Sequence, residues 1–394
     1  MTDTAAPTAA AQMDLTGELI YAMDTCARCG FCKTVCTTYP FGGGFEPLSP
    51  RAKVHYLKEV LAGRAELSPA WVDRMYQCTT CERCAEVCQT SIPLVHLWEA
   101  ARAALVTAGL GPMPAHKKIR EFVEKWGNPY GEPSENQALW MLPEHKPAES
   151  AELMLFGGCT ASYRMPPMLR NGASILQHCD IPYVFAAGKE VCCASPFLRT
   201  GQNEVAAKLI RTNLELFAEL GVKRIVSPCG GCSKTLKYDY PKWAKKLGLP
   251  FTAEVVHFSE MYAGLIKDGR IKPGRVPDMT VTYHDPCHVG RSQGLYDQPR
   301  AILAAIPGVR LVEMENVRQS ARCCGAGGGV KANYPAMAGE IAKKRVNEAL
   351  ETGAQTLVTM CPFCQTSFDT AIKELGAPIG LIGVDELLLR AIAP

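Results

Sequence analysis

Apolar residues recur at helical spacing through the first quarter of the chain. In DLTGELIYAMDT, residues 14–25, Leu15, Leu19, Ile20 and Met23 fall on one face. Ser49-Pro50 then starts PRAKVHYLKEVLA, with proline at the first helical position and Gly63 as its stop. Ser68-Pro69 repeats that start before PAWVDRMYQ, and Pro93 opens PLVHLWEAARAALVTA, which ends at Gly109. From 127 to 150 the periodicity fades into a Pro-, Gly- and Glu-rich stretch that reads as a linker. Beyond it the pattern changes to short apolar strands alternating with helices, and it occurs twice.

Each half of 151–394 opens on a strand that ends in cysteine, ELMLFGGC and MTVTYHDPC. A helix follows in each (PPMLRNGASILQH; YDQPRAILAAI), then a second strand (PYVF; VRLVEM) and a Cys-Cys pair. A long helix stopped by glycine comes next, and a third strand (RIVSPC; TLVTMC) delivers a C-x2-C. Both halves close on a Glu-containing helix, HFSEMYAGLI or VDELLLRAI. Strand–helix alternation predicts a parallel α/β sheet in each half. Sites in such sheets gather at the carboxyl ends of the strands. The expected fold is therefore a multidomain mix of α+β and α/β parts. It comprises a flexible tail (1–13), an α-helical ferredoxin-like domain (14–126), a linker (127–150) and two repeated α/β cysteine-rich domains (151–275 and 276–394).

Composition narrows the function. At 394 residues and 47% hydrophobic content the chain can bury several cores, and a net charge of +3 without a basic stripe gives no reason to expect nucleic acid. No apolar run reaches the length of about 18 residues needed to span a bilayer. The start MTDTAAPTAAAQMD has neither a basic beginning nor an apolar core, so no secretory signal is expected. A cytoplasmic, reducing setting fits a chain whose cysteines are spaced as chelates rather than as disulfides.

The cysteines carry the chemistry. Of the 19, only Cys179, at a helix end, stands outside four ordered groups, and a spectator thiol is its default reading. Cys26, Cys29, Cys32, Cys36 and Cys78, Cys81, Cys84, Cys88 both follow C-x2-C-x2-C-x3-C, the spacing that holds iron–sulfur cubanes. Structural zinc instead uses paired C-x2-C units well separated in sequence. In paired motifs the fourth cysteine usually serves the other cluster. That gives Cys26, Cys29, Cys32 and Cys88 for one cubane, and Cys36, Cys78, Cys81 and Cys84 for the other. Neither Cys36 nor Cys88 is followed directly by proline, which leaves the uncrossed pairing open.

The remaining groups hold five thiols each: Cys159, Cys192, Cys193, Cys229, Cys232, and Cys287, Cys323, Cys324, Cys361, Cys364. Five are too many for an ordinary four-coordinate zinc or cubane. This C…CC…CxxC order, with HDPCH, ARCCGAGGGVKAN and TMCPFCQTSFD in the second half and FGGCTASYR, EVCCASPFLRTGQ and SPCGGC in the first, resembles the catalytic part of heterodisulfide reductase. The ferredoxin segment in front is similar to the single-chain form of that catalytic part, and the resemblance spans about residues 14–394. It implies a non-cubane [4Fe-4S] cluster on each five-cysteine set, in which a fifth thiolate shared by two irons distorts the cluster. It also implies electron flow from two cubanes to two non-cubane clusters that cleave or form a disulfide. Ala194 stands where Gly325 follows the other Cys-Cys pair, a departure that leaves the ligands intact.

Other residues are candidates of lesser weight. Gly325, Gly327, Gly328 and Gly329 miss the spacing of a phosphate loop and suit close backbone approach to a cluster, with N–H bonds to its sulfurs. His284 and His288 flank Cys287 as ligands, proton donors or supporting groups, and Lys331 could meet an anionic substrate group. Without a flavin or nicotinamide fingerprint the chain needs an electron donor, expected to be a flavoprotein or cytochrome b subunit, with any membrane contact made through that partner. The rival expectation is an iron–sulfur relay subunit of another redox complex, of the benzoyl-CoA reductase, glycolate or lactate dehydrogenase, or flavin-based bifurcating type, with no disulfide substrate of its own.

Overall fold

The computed structural model describes residues 15–392, so the tail expected at 1–13 lies outside the described residues. The chain divides into two compact units. One holds the described residues up to Lys118 together with Pro196–Glu204 and Gly325–Ile341, and the other holds the remaining described residues.

The first unit is helical. Helix Gly17–Asp24 is capped by Thr16, and Pro50–Leu61 and Pro69–Tyr76 begin at Ser49 and Ser68, whose hydroxyls accept from Ala52 N and Trp71 N. These caps satisfy N–H groups that a helix start otherwise leaves bare. Helix Leu94–Thr107 buries Leu97, Trp98, Ala101 and Leu105 against Val54, Leu57, Met75 and Tyr76 from the two Ser-Pro helices. Arg102, wholly buried on the same helix, donates to Met75 O, Cys78 O, Arg199 O and Gly328 O at 2.6–3.1 Å. Tyr76 donates to Thr200 O (3.3 Å), His116 Nε2 lies 2.9 Å from Gly329 O, and Tyr334 donates to the Asp73 carboxylate at 2.7 Å. These bonds bring two distant segments, each beginning just after a Cys-Cys pair, into the helical unit. That organisation departs from domain boundaries drawn as continuous stretches of sequence.

The second unit contains two parallel sheets. The first orders β1 (Leu153–Leu155), β2 (Arg224–Ser227) and β3 (Glu254–His257) as β1-β2-β3, with Leu153 opposite Arg224 and Arg224 opposite Glu254. The second orders β4 (Met279–Tyr283), β5 (Val309–Leu311), β6 (Thr356–Thr359) and β7 (Gly380–Gly383) as β5-β4-β6-β7. A single parallel bridge, Met154 to Val184, occupies in the first sheet the place of β5 in the second. The expected strand PYVF is thus reduced to that bridge, whereas β3 and β7, unread in the sequence, complete the repeat. Buried Leu155, Val226, Val281 and Val358 make the strands apolar, as fits sheets covered by helices.

The stretch 127–150 is not an unpacked linker. It forms a short 3-10 turn at Ser134–Ala138 and buries Trp140 completely, edge-on to Phe185 at 5.1 Å. Arg170 fixes it by donating to Trp140 O at 2.6 Å.

Candidate metal centres

The two short motifs form similar loops. The residues flanking the second cysteine, Arg28 and Gly30 in one and Thr80 and Glu82 in the other, all have positive φ. Only Gly30 takes that conformation without strain, so three side-chain-bearing residues hold a costly backbone where the loop must curl. Each loop then enters a four-residue helix, Phe31–Thr34 or Arg83–Glu86.

The thiols sort in the crossed manner. Cys26, Cys29, Cys32 and Cys88 line one cavity, and Cys36, Cys78, Cys81 and Cys84 line another. Burial and then the neighbouring Cys26 push the Cys32 thiol up to about 11, with Cys29 and Cys88 adding to the rise. Burial likewise raises Cys84, reinforced by Cys78, Cys81 and Cys36. Cys88 differs: burial raises it, but bonds from Ile92 N and from the hydroxyl and N–H of Thr90 outweigh that and lower it. Cys29 in the first set is exposed, whereas Cys81 and Cys84 in the second are buried.

In the other unit, strands β1, β2, β4 and β6 end just before Cys159, Cys229, Cys287 and Cys361. Thiol contacts run Cys159–Cys192–Cys193–Cys232–Cys229 in the first set. They continue from Cys229 to Cys361, then to Cys364 and Cys324, while Cys287 pairs with Cys323. The two repeats therefore meet thiol to thiol at Cys229 and Cys361. Contacts from Cys229 and Cys364, against the opposing effect of burial, hold Cys361 well below the ordinary thiol range. Most of its neighbours are pushed above that range, because adjacent thiolates repel each other in a buried site. All five thiols of the first set are buried, whereas Cys287 in the second is half-buried.

Charged residues absent from the sequence reading position these loops. Glu190 is 5% exposed and accepts from Gly157 N (3.1 Å) and Gly158 N (2.7 Å), fixing the turn that presents Cys159. Burial drives its carboxyl up to about 8 despite those two bonds. Asp285 receives a two-pronged contact from Arg300 at 2.8 and 2.9 Å and accepts from Arg318 N, fixing the Asp285-Pro286-Cys287 turn.

The other sequence candidates separate. His284 is wholly buried, accepts from Arg345 Nε at 3.2 Å and meets Phe368 edge-on at 4.7 Å. Burial holds it neutral, which suits support of the site rather than the proton donation considered for it. His288 is half-buried beside Cys287, and its carbonyl accepts from Gln293 at 2.6 Å. Lys331 belongs to the first unit, not to the unit of the two histidines. The glycine run approaches backbone of the second short motif: a Cβ on Gly327 would sit 2.5 Å from Thr79 O, and one on Gly328 2.2 Å from Cys78 O. A Cβ on Gly325 would meet Ala338 O.

The donor sets fit iron–sulfur clusters. Buried thiols forced upward in pKa by one another need cationic metal to hold them as thiolates, and soft sulfur selects iron–sulfur, zinc or copper(I). Among the described residues no three ligand side chains converge on a point suited to a single ion; the short-motif thiols surround cavities instead.

Comparison with known proteins agrees with this arrangement. Residues 153–237 and 281–369 each match the cysteine-rich CCG domain, and residues 22–92 match the 4Fe-4S dicluster domain. One subunit of a CoM/CoB fumarate reductase from Methanothermobacter marburgensis is 34% identical over 80% of this chain and 61% of its own length. An EtfAB:quinone oxidoreductase of Syntrophomonas wolfei is 28% identical over 94% of this chain and 58% of its own. A solved Helicobacter pylori protein, described as hypothetical, shares the fold at TM-score 0.51 and 10% identity, over 97% of this chain and 74% of that one. One subunit of the dihydromethanophenazine:CoB–CoM heterodisulfide reductase of Methanosarcina barkeri is 37% identical over 96% of this chain and 96% of its own length. The chain is thus an iron–sulfur oxidoreductase subunit and belongs to the family of that heterodisulfide reductase polypeptide.

Proposed function

We propose that this chain carries electrons from two cubanes, held by the crossed quartets, to two non-cubane [4Fe-4S] clusters, held by the five-thiol sets, and there reduces or forms a disulfide. The observation that carries the reading is the meeting of the two five-thiol sets at Cys229 and Cys361 within one unit. When bound, the clusters would supply one-electron steps and an iron able to take a substrate sulfur. Reducing one disulfide consumes two electrons and two protons and releases two thiols. The protein's part is to keep water from most of the thiols, to aim Cys159 through Glu190 and Cys287 through Asp285, and to offer one approach, at half-buried Cys287. His288 beside that opening is the candidate for delivering protons, since its ring is not sealed in the core as that of His284 is. Electrons would arrive from a flavoprotein or cytochrome b partner. Cysteines spaced as chelates suit a reducing compartment, so the proposed setting is the cytoplasm, at a membrane only through that partner. Among the described residues no helix is long and apolar enough to cross a membrane.

The relay reading is favoured for one set in particular. No thiol of the first set exceeds 7% exposure, which suits passing electrons better than binding substrate. Anaerobic EPR with and without the CoB–CoM heterodisulfide separates the readings. A new paramagnetic signal on adding the disulfide, lost in Cys287→Ser, supports the reductase; spectra indifferent to any disulfide leave a relay.

A further inference from the structure

Helix Pro50–Leu61 places Lys53 at 2% exposure, and its side chain lines the cavity of Cys36, Cys78, Cys81 and Cys84. A lysine is seldom buried without a partner. The groups that act on this one most strongly are Cys78, Cys36 and Cys84, with Arg102 opposing, and no carboxylate is among them. Glu82 and Arg83 also line the cavity, half-buried and opposite in sign. The guanidinium of Arg102 is spent on four carbonyls, one of them Cys78 O.

The other cavity is built differently. Arg28 and Arg51 line it, but Arg51 is paired with Glu46 at 2.7 Å, and Cys29 is exposed. Water and a carboxylate therefore screen the cations there. Reduction adds one negative charge to a cluster that is already anionic. Burial alone disfavours that charge, whereas a buried ammonium lining the same cavity favours it, since opposite charges attract more strongly at an effective permittivity near 20 than in bulk water.

We infer that Lys53 sets the reduction potential of the cluster held by Cys36, Cys78, Cys81 and Cys84, making it the member of the pair on which an electron comes to rest. Electrons would enter at the exposed quartet of Cys29 and settle at the buried one. The inference rests on the proposal that each quartet holds a cubane.

The test is an anaerobic EPR-monitored redox titration of the full cluster-loaded chain. In the unaltered protein two cubane signals are expected; fewer than two defeats the cubane reading itself, and this inference with it. Lys53→Met should lower one of the two potentials, changing its reduced-to-oxidised ratio roughly ten- to a hundredfold, about 60–120 mV at 59 mV per tenfold. The other potential should hold, and Lys53→Arg should stay near the unaltered value. Arg51→Met should move its own cluster by less than a threefold change in ratio. If Lys53→Met fails to retain the buried cluster, Lys53→Gln against Lys53→Arg decides. A drop in Gln alone supports a charge effect, and equal potentials in the two overturn it. Two cubane signals with neither potential moved by Lys53→Met overturn it as well.

Discussion

Replacing Arg102 by methionine is expected to unfold much of the helical unit and to empty its buried quartet. The guanidinium is wholly buried and makes five hydrogen bonds, two of them to Met75 O and one each to Cys78 O, Arg199 O and Gly328 O. It also lies over the Tyr76 ring at 5.1 Å. Methionine keeps the length of the side chain and supplies no donor. Each buried carbonyl left without a partner costs about 1–3 kcal/mol, which over four carbonyls is roughly 4–12 kcal/mol. Relief from burying a charge offsets part of this. The expected net loss is on the order of 4 kcal/mol, a large share of a typical domain's stability. Anaerobic urea unfolding followed by the fluorescence of Trp71 and Trp98, both in this unit's core, measures it, and iron content reports the quartet. Arg102→Lys should fail nearly as badly, because one ammonium cannot span three chain segments as the planar fork does. A shift below about 1 kcal/mol with full iron in the methionine variant would refute the reasoning.

Four further outcomes are expected. Arg300→Met leaves the Asp285 carboxylate buried without its cation, so stability should fall by about 3–5 kcal/mol in denaturant titration, with iron lost from the second five-thiol set. Trp140→Ala should cost about 3–5 kcal/mol, measured the same way, if 127–150 is part of the core; a cost below about 1 kcal/mol would return it to the status of a linker. Burial raises Asp385 to about 7, so the stability tied to its protonated form is complete below about pH 4 and is lost as pH rises to 7. Asp385→Asn, still able to bond Asn171, should therefore be more stable than the parent at pH 8 by up to a few kcal/mol, with a flatter profile between pH 4 and 7. Cys287→Ser should lose iron from one five-thiol set only, read by Mössbauer spectroscopy.

Features of the fold governed by short-range rules were legible in the sequence. The Ser-Pro starts at Ser49 and Ser68 mark helices because cap and proline act within one turn, and the short motifs announce 4Fe-4S binding because chelation is local. The strands at Glu254–His257 and Gly380–Gly383 escaped because each is only four residues long and runs straight into the next helix; the second is bracketed by glycines. Trp140 sits in irregular backbone, where no period betrays burial. Lys53, Arg102, Glu190, Asp285 and Arg300 were invisible for a different reason. A charged residue in sequence reads as solvated surface, and only the folded chain shows it desolvated and bonded to the loops that carry cysteines. The glycine run was read as serving a cluster. The structure places the close contacts of Gly327 and Gly328 on the backbone of Thr79 and Cys78, a pairing across more than two hundred residues that no local pattern encodes.

The most direct test of the central claim is the iron and acid-labile sulfide content of the anaerobically purified full chain, combined with its Mössbauer spectrum. Two cubanes and two five-thiolate clusters predict about sixteen irons and a spectrum holding two classes of iron environment. About eight irons, all of cubane type, would show that the five-cysteine sets do not hold clusters and would contradict the account.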